Sequence, residues 1–392
     1  MSQRDAHPIT LLCGGTDFFA ALVHAIDGAQ HEVCLETYIF DFQGAALSVA
    51  DALTRAAQRG VRVRLVVDGA GTGKLPALWR QRWDAVGLQY RVYAPITAPE
   101  FWRPMRWRRL HRKLCVVDQR IGFCGGINLI DDWLDPNVPD RLPAPRLDYA
   151  VRVEGPLVRA MHDTMQQLWL RMQAVRELKE RDIGKALDAL RSAEAASVAS
   201  KHGAARLVLR DNVRHRVDIE RSYRRAIARA RHDIVLACAY FFPGVRLLRA
   251  LVLAAQRGVR VQLLLQGHYE YFLPYRAGRY LYGRLLAAGV EIHEYQASFL
   301  HAKVAVIDRQ WVTVGSSNLD PLSLLLAREA NVVARSASLA TALHDSLSQA
   351  MTNHAHRIEP DAYVQRSWWQ RWVDVAAAAV LRFGVFLTGR RF

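Results

Sequence analysis

Lysine is almost missing from this basic chain. Of 53 Lys plus Arg residues only six are lysine, at positions 74, 113, 179, 185, 201 and 303. Acidic residues are short too, 37 Asp plus Glu, and the formal charge of +16 implies polyanionic company, either nucleic acid or the anionic face of a membrane. Five cysteines, 13, 34, 115, 124 and 238, form no CxxC pair and sit mostly in apolar runs, which argues against a disulfide framework and for reduced, buried thiols in a cytosol-facing protein. No run of about 20 uncharged apolar residues occurs, so no simple helix spans a bilayer. The start, MSQRDAHPIT, lacks the basic-then-apolar build of a signal peptide. At 51% hydrophobic residues the 392-residue chain is globular and long enough for two domains.

Two of the six lysines mark a repeated pattern. His111, Lys113 and Asp118 in HRKLCVVD, and His301, Lys303 and Asp308 in HAKVAVID, both read HxKxxxxD. Random placement gives about 0.01 expected matches in such a chain. The copies also share a small-residue turn and an asparagine, Gly125-Gly126-Ile127-Asn128 and Gly315-Ser316-Ser317-Asn318, each asparagine 17 residues after its histidine. Where arginine is used almost everywhere else, a retained lysine points to a crowded anionic centre that takes a compact ammonium and not a planar fork.

The repeat extends upstream. HEVCLETYIF (31–40) resembles HDIVLACAYF (232–241), and AAQRGVRVRLVVDG (56–69) is almost AAQRGVRVQLLLQG (254–267). Each half reads strand, helix ended at Gly60 or Gly258, strand, which predicts an α/β fold of two tandem sandwich domains, each with a mixed or parallel sheet. The expected domains are 1–200 and 201–357, joined by a charged helix pair and a Ser/Ala/Gly-rich connector. Residues 358–392, aromatic with basic ends and broken by Asp374 and Arg382, read as an amphipathic membrane-associating tail.

Within the cassettes, period-two alternation puts each His and Lys on one strand face and the Asp at a turn. The return strand of the hairpin then brings Gly126 or Ser316, and Asn128 or Asn318, next to them as a cradle for one phosphate. Two histidines suit covalent phosphoryl chemistry, in which one imidazole attacks phosphorus and the other protonates the departing alcohol and later deprotonates the acceptor. Lys113, Lys303 and the asparagines would hold the nonbridging oxygens. Each imidazole needs an orienting acceptor, and the strand after each cassette supplies one, Asp148 or Glu329. Asp118 and Asp308 complete the cassettes, with a supporting role in the turn favoured over direct chemistry. No metal is expected, because HxK puts a cation where a second ligand would stand.

With their GGxN and GSSN trailers, the paired cassettes resemble the phospholipase D superfamily over nearly the whole chain. Within it, LHRKLCVVDQRIGFCGGIN and LHAKVAVIDRQWVTVGSSNLDPLSLLLAREANV resemble the B-type bacterial cardiolipin synthases, which lack the two N-terminal membrane helices of the main type. The resemblance implies two phospholipase D-like domains and transfer of a phosphatidyl group between phosphatidylglycerol molecules through a phosphohistidine, with His111 as nucleophile. It implies neither metal nor nucleotide cofactor, and a peripheral location on the cytoplasmic face of the bacterial inner membrane. A nuclease suits the charge and the basic, aromatic stretch FWRPMRWRRLHR (101–112), but superfamily nucleases commonly carry one cassette per chain and dimerise. A hydrolase would differ only in using water to resolve the intermediate.

Overall fold

A computed structural model describes residues 8–95, 108–135, 141–180, 182–195, 204–211, 215–268, 271–320 and 327–387. The first half runs β1 (Ile9–Cys13), α1 (Gly14–Asp27), β2 (Glu32–Thr37), α2 (Gly44–Gln58), β3 (Arg62–Asp68), α3 (Ala77–Ala85), β4 (Gln89–Tyr93), β5 (Arg109–Leu110), β6 (Lys113–Val117), β7 (Ile121–Gly125), β8 (Tyr149–Glu154), α4 (Pro156–Lys179) and α5 (Ile183–Ala195). The second runs β9 (Ala205–Arg210), α6 (Asp218–Arg229), β10 (Asp233–Cys238), α7 (Val245–Gln256), β11 (Arg260–Gln266), α8 (Phe272–Tyr280), α9 (Tyr282–Ala287), β12 (Glu291–Tyr295), β13 (Lys303–Ile307), β14 (Trp311–Gly315), β15 (Ala327–Arg335), α10 (Ala337–His354), β16 (Ala355–Arg357), α11 (Pro360–Val364) and α12 (Trp368–Leu387).

Each half builds one mixed sheet in the same order. The first is β1-β8-β7-β6-β2-β3-β4; the second repeats it as β9-β15-β14-β13-β10-β11-β12, with β16 added beyond β12. The β2-α2-β3 and β10-α7-β11 units are parallel pairs, and Gly60 and Gly258, both at φ +86°, turn the chain out of the helix where a side chain would be strained. Strands such as β6 and β13 are buried at every residue because both sheet faces are covered. Helices α1, α2 and α3 pack one face of the first sheet, and α6 to α9 one face of the second.

The remaining two faces share a core. Val116, Cys124, Val151 and Met161 from the first half join Val235, Val304, Val314, Val332 and Leu343 from the second in one buried cluster, closed by α4 and α10. The halves are therefore joined by apolar burial, the dominant favourable term in folding. All five cysteines are free and four are buried. No helix among the described residues is long and apolar enough to cross a membrane.

The cassette hairpins form as expected, β6 to β7 and β13 to β14, and their turns assign the aspartates. Asp118 and Gln119 take φ +49° and +53°, Asp308 and Arg309 +51° and +47°, a left-handed pair in which neither residue is glycine. The carboxylates offset that strain by anchoring the neighbouring strand. Asp118 accepts the backbone N–H groups of Gln30, His31 and Glu32 at 2.8 Å, and Asp308 those of Arg231, His232 and Asp233 at 2.8–3.2 Å. Both lie seven residues, about 23 Å of extended chain, from their histidines. Asp118→Ala should thus cost about 1–3 kcal/mol of stability, read as a lower urea midpoint, by orphaning three N–H groups; an unchanged midpoint would remove this role.

Candidate active site

The histidines are positioned by backbone exchange between the halves. Strand β5 leaves its own half and pairs parallel to β15, Ala327 opposite Arg109, and the His111 N–H then donates to the Arg328 carbonyl at 3.0 Å. Reciprocally, Leu147 bridges Leu300, and the His301 N–H donates to the Leu147 carbonyl at 2.9 Å. In each case the next residue on the supporting segment is the carboxylate. His111 Nδ1 lies 3.0 Å from Glu329 Oε1, and His301 Nδ1 lies 2.7 Å from Asp148 Oδ2. The two acceptors read from the sequence are present, but each serves the histidine of the other half. With Nδ1 held by a carboxylate, Nε2 is the nitrogen left for chemistry.

Gly126 and Ser316 differ from their expected place in a phosphate cradle. Their backbone N–H groups donate to Tyr149 O at 3.0 Å and Ala330 O at 3.1 Å, so the sheet already takes them. They tune the carboxylates instead. Any Cβ at Gly126 would collide with Asp148 Oδ1, whereas the Ser316 hydroxyl donates to Glu329 Oε2 at 2.5 Å. Lys113 and Lys303 are buried and each donates through Nζ to the carbonyl of its own histidine, at 2.7 Å for Lys113. Asn128 and Asn318 are buried at the end of each hairpin, and Asn128 Oδ1 accepts the Ile39 N–H at 3.3 Å.

Burial sets the electrostatics. It lowers the basicity of both imidazoles, most strongly His301, where Lys303, Lys113 and His111 push the same way, while Glu329 partly offsets it at His111. Lys113 is held down at about 7, chiefly by burial and then by Lys303 against the pull of Glu329. Asp148 is pushed up to about 6 by burial, opposed by Lys303 and a hydrogen bond from Tyr149 N–H. A largely buried cluster of two lysines, two imidazoles and two carboxylates is poised to take one anion, which would recharge its cationic members.

Several contributors escaped the sequence reading. Asp68 and Gln266 end β3 and β11 at equivalent places, and their side chains accept the N–H of the residue before each histidine, Leu110 at 2.7 Å and Leu300 at 3.0 Å. A polar residue closing an apolar strand in both repeats was the available signal. The Tyr38 ring stands 4.9 Å from that of His111 and 5.5 Å from Lys113 Nζ. Buried Arg112 forks onto buried Glu36, where the second half has Ala302 and Ala237. Among the described residues, Glu32, Cys34 and His162 have metal-compatible spacing, but at the Asp118 end of β2. Burial raises the Cys34 thiol to about 12, which disfavours a thiolate ligand, and Arg62 already pairs with Glu32 at 3.3 Å.

The Lys113 environment gives a pH signature. Its charge is present below about 7 and lost above. Sulfate, whose own charge is constant, should bind more weakly as pH rises from about 7 to 9, by up to about tenfold per unit. Lys113→Met should abolish the slope; a flat wild-type profile would contradict the assignment.

Comparison with known proteins matches this chain to a family. The cardiolipin synthase, phospholipase D-like domain model fits residues 22–138 and again 223–351. Cardiolipin synthase B of Escherichia coli strain K12 is 36% identical over 388 residues, 99% of this chain and 91% of that protein, and its Salmonella typhimurium counterpart is 36% identical over 396 residues. A cardiolipin synthase of Geobacillus thermodenitrificans is 30% identical over 83% of this chain. Phosphatidylserine synthase of Haemophilus influenzae superposes with a TM-score of 0.67 at 11% identity, covering 97% of this chain and 93% of its own, and polyphosphate kinase of Porphyromonas gingivalis with 0.56 at 12%. At those identities the two structures speak for the fold alone. Two matched domains in one chain and whole-length kinship at 36% identity place this protein in the phospholipase D-like cardiolipin synthase family.

Proposed function

We propose that the chain transfers a phosphatidyl group from one phosphatidylglycerol to a second, forming cardiolipin and glycerol. The crosswise histidine pair carries this reading, since two imidazoles share one centre, each with Nδ1 on a buried carboxylate. In the first step Nε2 of one imidazole attacks phosphorus, the bond to glycerol breaks, and the other imidazolium gives its proton to the departing oxygen. In the second step that imidazole, now neutral, takes the proton of a free headgroup hydroxyl on the second phosphatidylglycerol. The new oxygen–phosphorus bond then expels the histidine nitrogen. Lys113, Lys303, Asn128 and Asn318 meet the charge on the nonbridging oxygens, and Asp148 and Glu329 hold the ring tautomers. Family kinship to synthases named for a lipid product favours this over nucleic acid as substrate.

Labelled phosphatidylglycerol should yield labelled cardiolipin, while labelled DNA stays intact. His111→Ala and His301→Ala should each lower turnover by several orders of magnitude, with the double variant little worse, because the pair acts as a unit. A single variant retaining about a tenth of activity or more would defeat the two-histidine mechanism. Trapping the intermediate tells which imidazole carries phosphorus.

The same reading assigns peripheral membrane contact to α12. Its inner face packs on α8 through Ala377 and Ala378, while Asp374 pairs with Arg276 at 2.9 Å and Arg366 at 3.0 Å. The outer face leaves Trp368, Trp369, Trp372, Val380, Phe383 and Phe386 exposed, and Phe272 at the start of the partner helix α8 is exposed as well. Tyr271, just ahead of α8, contacts Tyr240 after β10, so the start of α8 borders the histidine end of the sheet. The stretch 101–107 and Arg390 and Arg391, also expected at the surface, lie outside the described residues. Because α12 packs on α8, point changes are the cleaner test than truncation. Trp368→Ser with Trp369→Ser and Trp372→Ser should weaken binding to phosphatidylglycerol vesicles roughly tenfold or more, with activity on detergent-dispersed lipid kept. Unchanged binding would move the membrane contact elsewhere.

A further inference from the structure

At the opposite end of the second half lies a groove of about 860 Å³ whose charge the transfer chemistry does not use. Five arginines line it: Arg206 of β9, Arg225 and Arg229 of α6, Arg231 in the turn before β10, and Arg335 closing β15. All five are exposed at its rim. Among the described residues none of these guanidiniums pairs with a carboxylate, and Arg206 donates to Ser222 Oγ at 3.1 Å. The one acid in the lining, Asp308, is already engaged by the backbone N–H groups of residues 231, 232 and 233. Like charges around one concavity repel one another and focus a positive potential into it.

The duplication supplies an internal control. Aligning the halves through His31 with His232, and through Gly125 opposite Ala150 with Gly315 opposite Asn331, makes Thr10, His24, Gly28, Gln30 and Glu154 the counterparts of the five arginines. The same scaffold stands in the first half without any of these charges, and there Glu154 pairs with Arg152. The fold therefore does not require the arginines. Packing does not account for them either, since they are exposed.

We propose that this groove is a second anion site, which binds a multiply charged, phosphate-bearing ligand. It is distinct from the reacting centre. Strand β10 runs from Asp233 at the groove to Cys238, which pairs with Lys303, so about 17 Å of strand separates the two. Guanidinium forks suit phosphate oxygens bidentately, which explains arginine here as opposed to the lysines of the cassettes. A ligand clamped between α6 and the Asp308 turn would also brace the β13 to β14 hairpin that bears Lys303.

Binding of inorganic triphosphate to the full chain by calorimetry tests this, with phosphatidylglycerol vesicles as a second arm. The variant Arg225→Gln, Arg229→Gln, Arg335→Gln should bind triphosphate roughly tenfold or more weakly and with a shallower salt dependence, while Lys303→Met keeps this class of site. Loss confined to triphosphate identifies a free phosphate-bearing ligand, and loss that extends to vesicles, or is confined to them, identifies a lipid headgroup. If the triple variant does not fold, Arg335→Glu, which installs the first-half residue, is measured in both arms. Wild-type affinity for both triphosphate and vesicles in a folded variant overturns the proposal.

Discussion

Everything at the candidate reacting centre depends on a reciprocal exchange between the halves. Each histidine is fixed by a backbone hydrogen bond to the other half, and the following residue of that segment is the carboxylate on its Nδ1. Neither half alone contains a cassette histidine with its acceptor. The apolar core shared by the two sheets is what holds this arrangement, so burying Val116, Val151, Val304 and Val332 together is also what assembles the chemistry. Coupling of this kind joins folding and activity tightly, because a small displacement of one sheet against the other would break both imidazole contacts at once.

The duplication repeats the strand order of the sheet and is loose in detail. Equivalent positions carry Gly126 and Ser316, Asp148 and Glu329, Asp68 and Gln266. Each pair solves one geometric problem with a different side chain. The longer Glu329 is steadied by the Ser316 hydroxyl, while the shorter Asp148 needs the space that glycine leaves. The Arg112 to Glu36 pair appears in one half only, with alanines in the other. Such differences make the two imidazoles inequivalent, with His301 held more firmly neutral than His111. A double displacement through one covalent histidine asks for inequivalent partners.

The molecule is polarised along its strands. At one end stand the histidines and the buried lysines, with Tyr240 after β10 meeting Tyr271 at the start of α8. At the other, Asp118 and Asp308 tie each hairpin turn to the start of the neighbouring strand, which fixes the hairpin register and hence the position of His and Lys a strand length away. The third member of each cassette thus serves the other two through the backbone.

The duplicated pattern, the strand and helix units, the glycine stops and the identities of His111, Lys113, His301, Lys303, Asp148 and Glu329 were legible in the sequence, because they are local: periodicity, turn chemistry and repeated spacing are written in contiguous residues. The tail was legible as amphipathic; its docking on α8 through Asp374 was not. Nor was it legible that Asp148 turns to His301 and Glu329 to His111, that sheet bonds occupy the N–H groups of Gly126 and Ser316, or that Tyr38 and Asp68 stand beside the centre. Those facts arise from contacts between residues 153 and 218 positions apart, or from ladder bonds that only the paired strands define. The sequence by itself determined which groups could do the chemistry; only the packing of one half against the other decided which carboxylate meets which histidine and how deeply the lysines and carboxylates are buried.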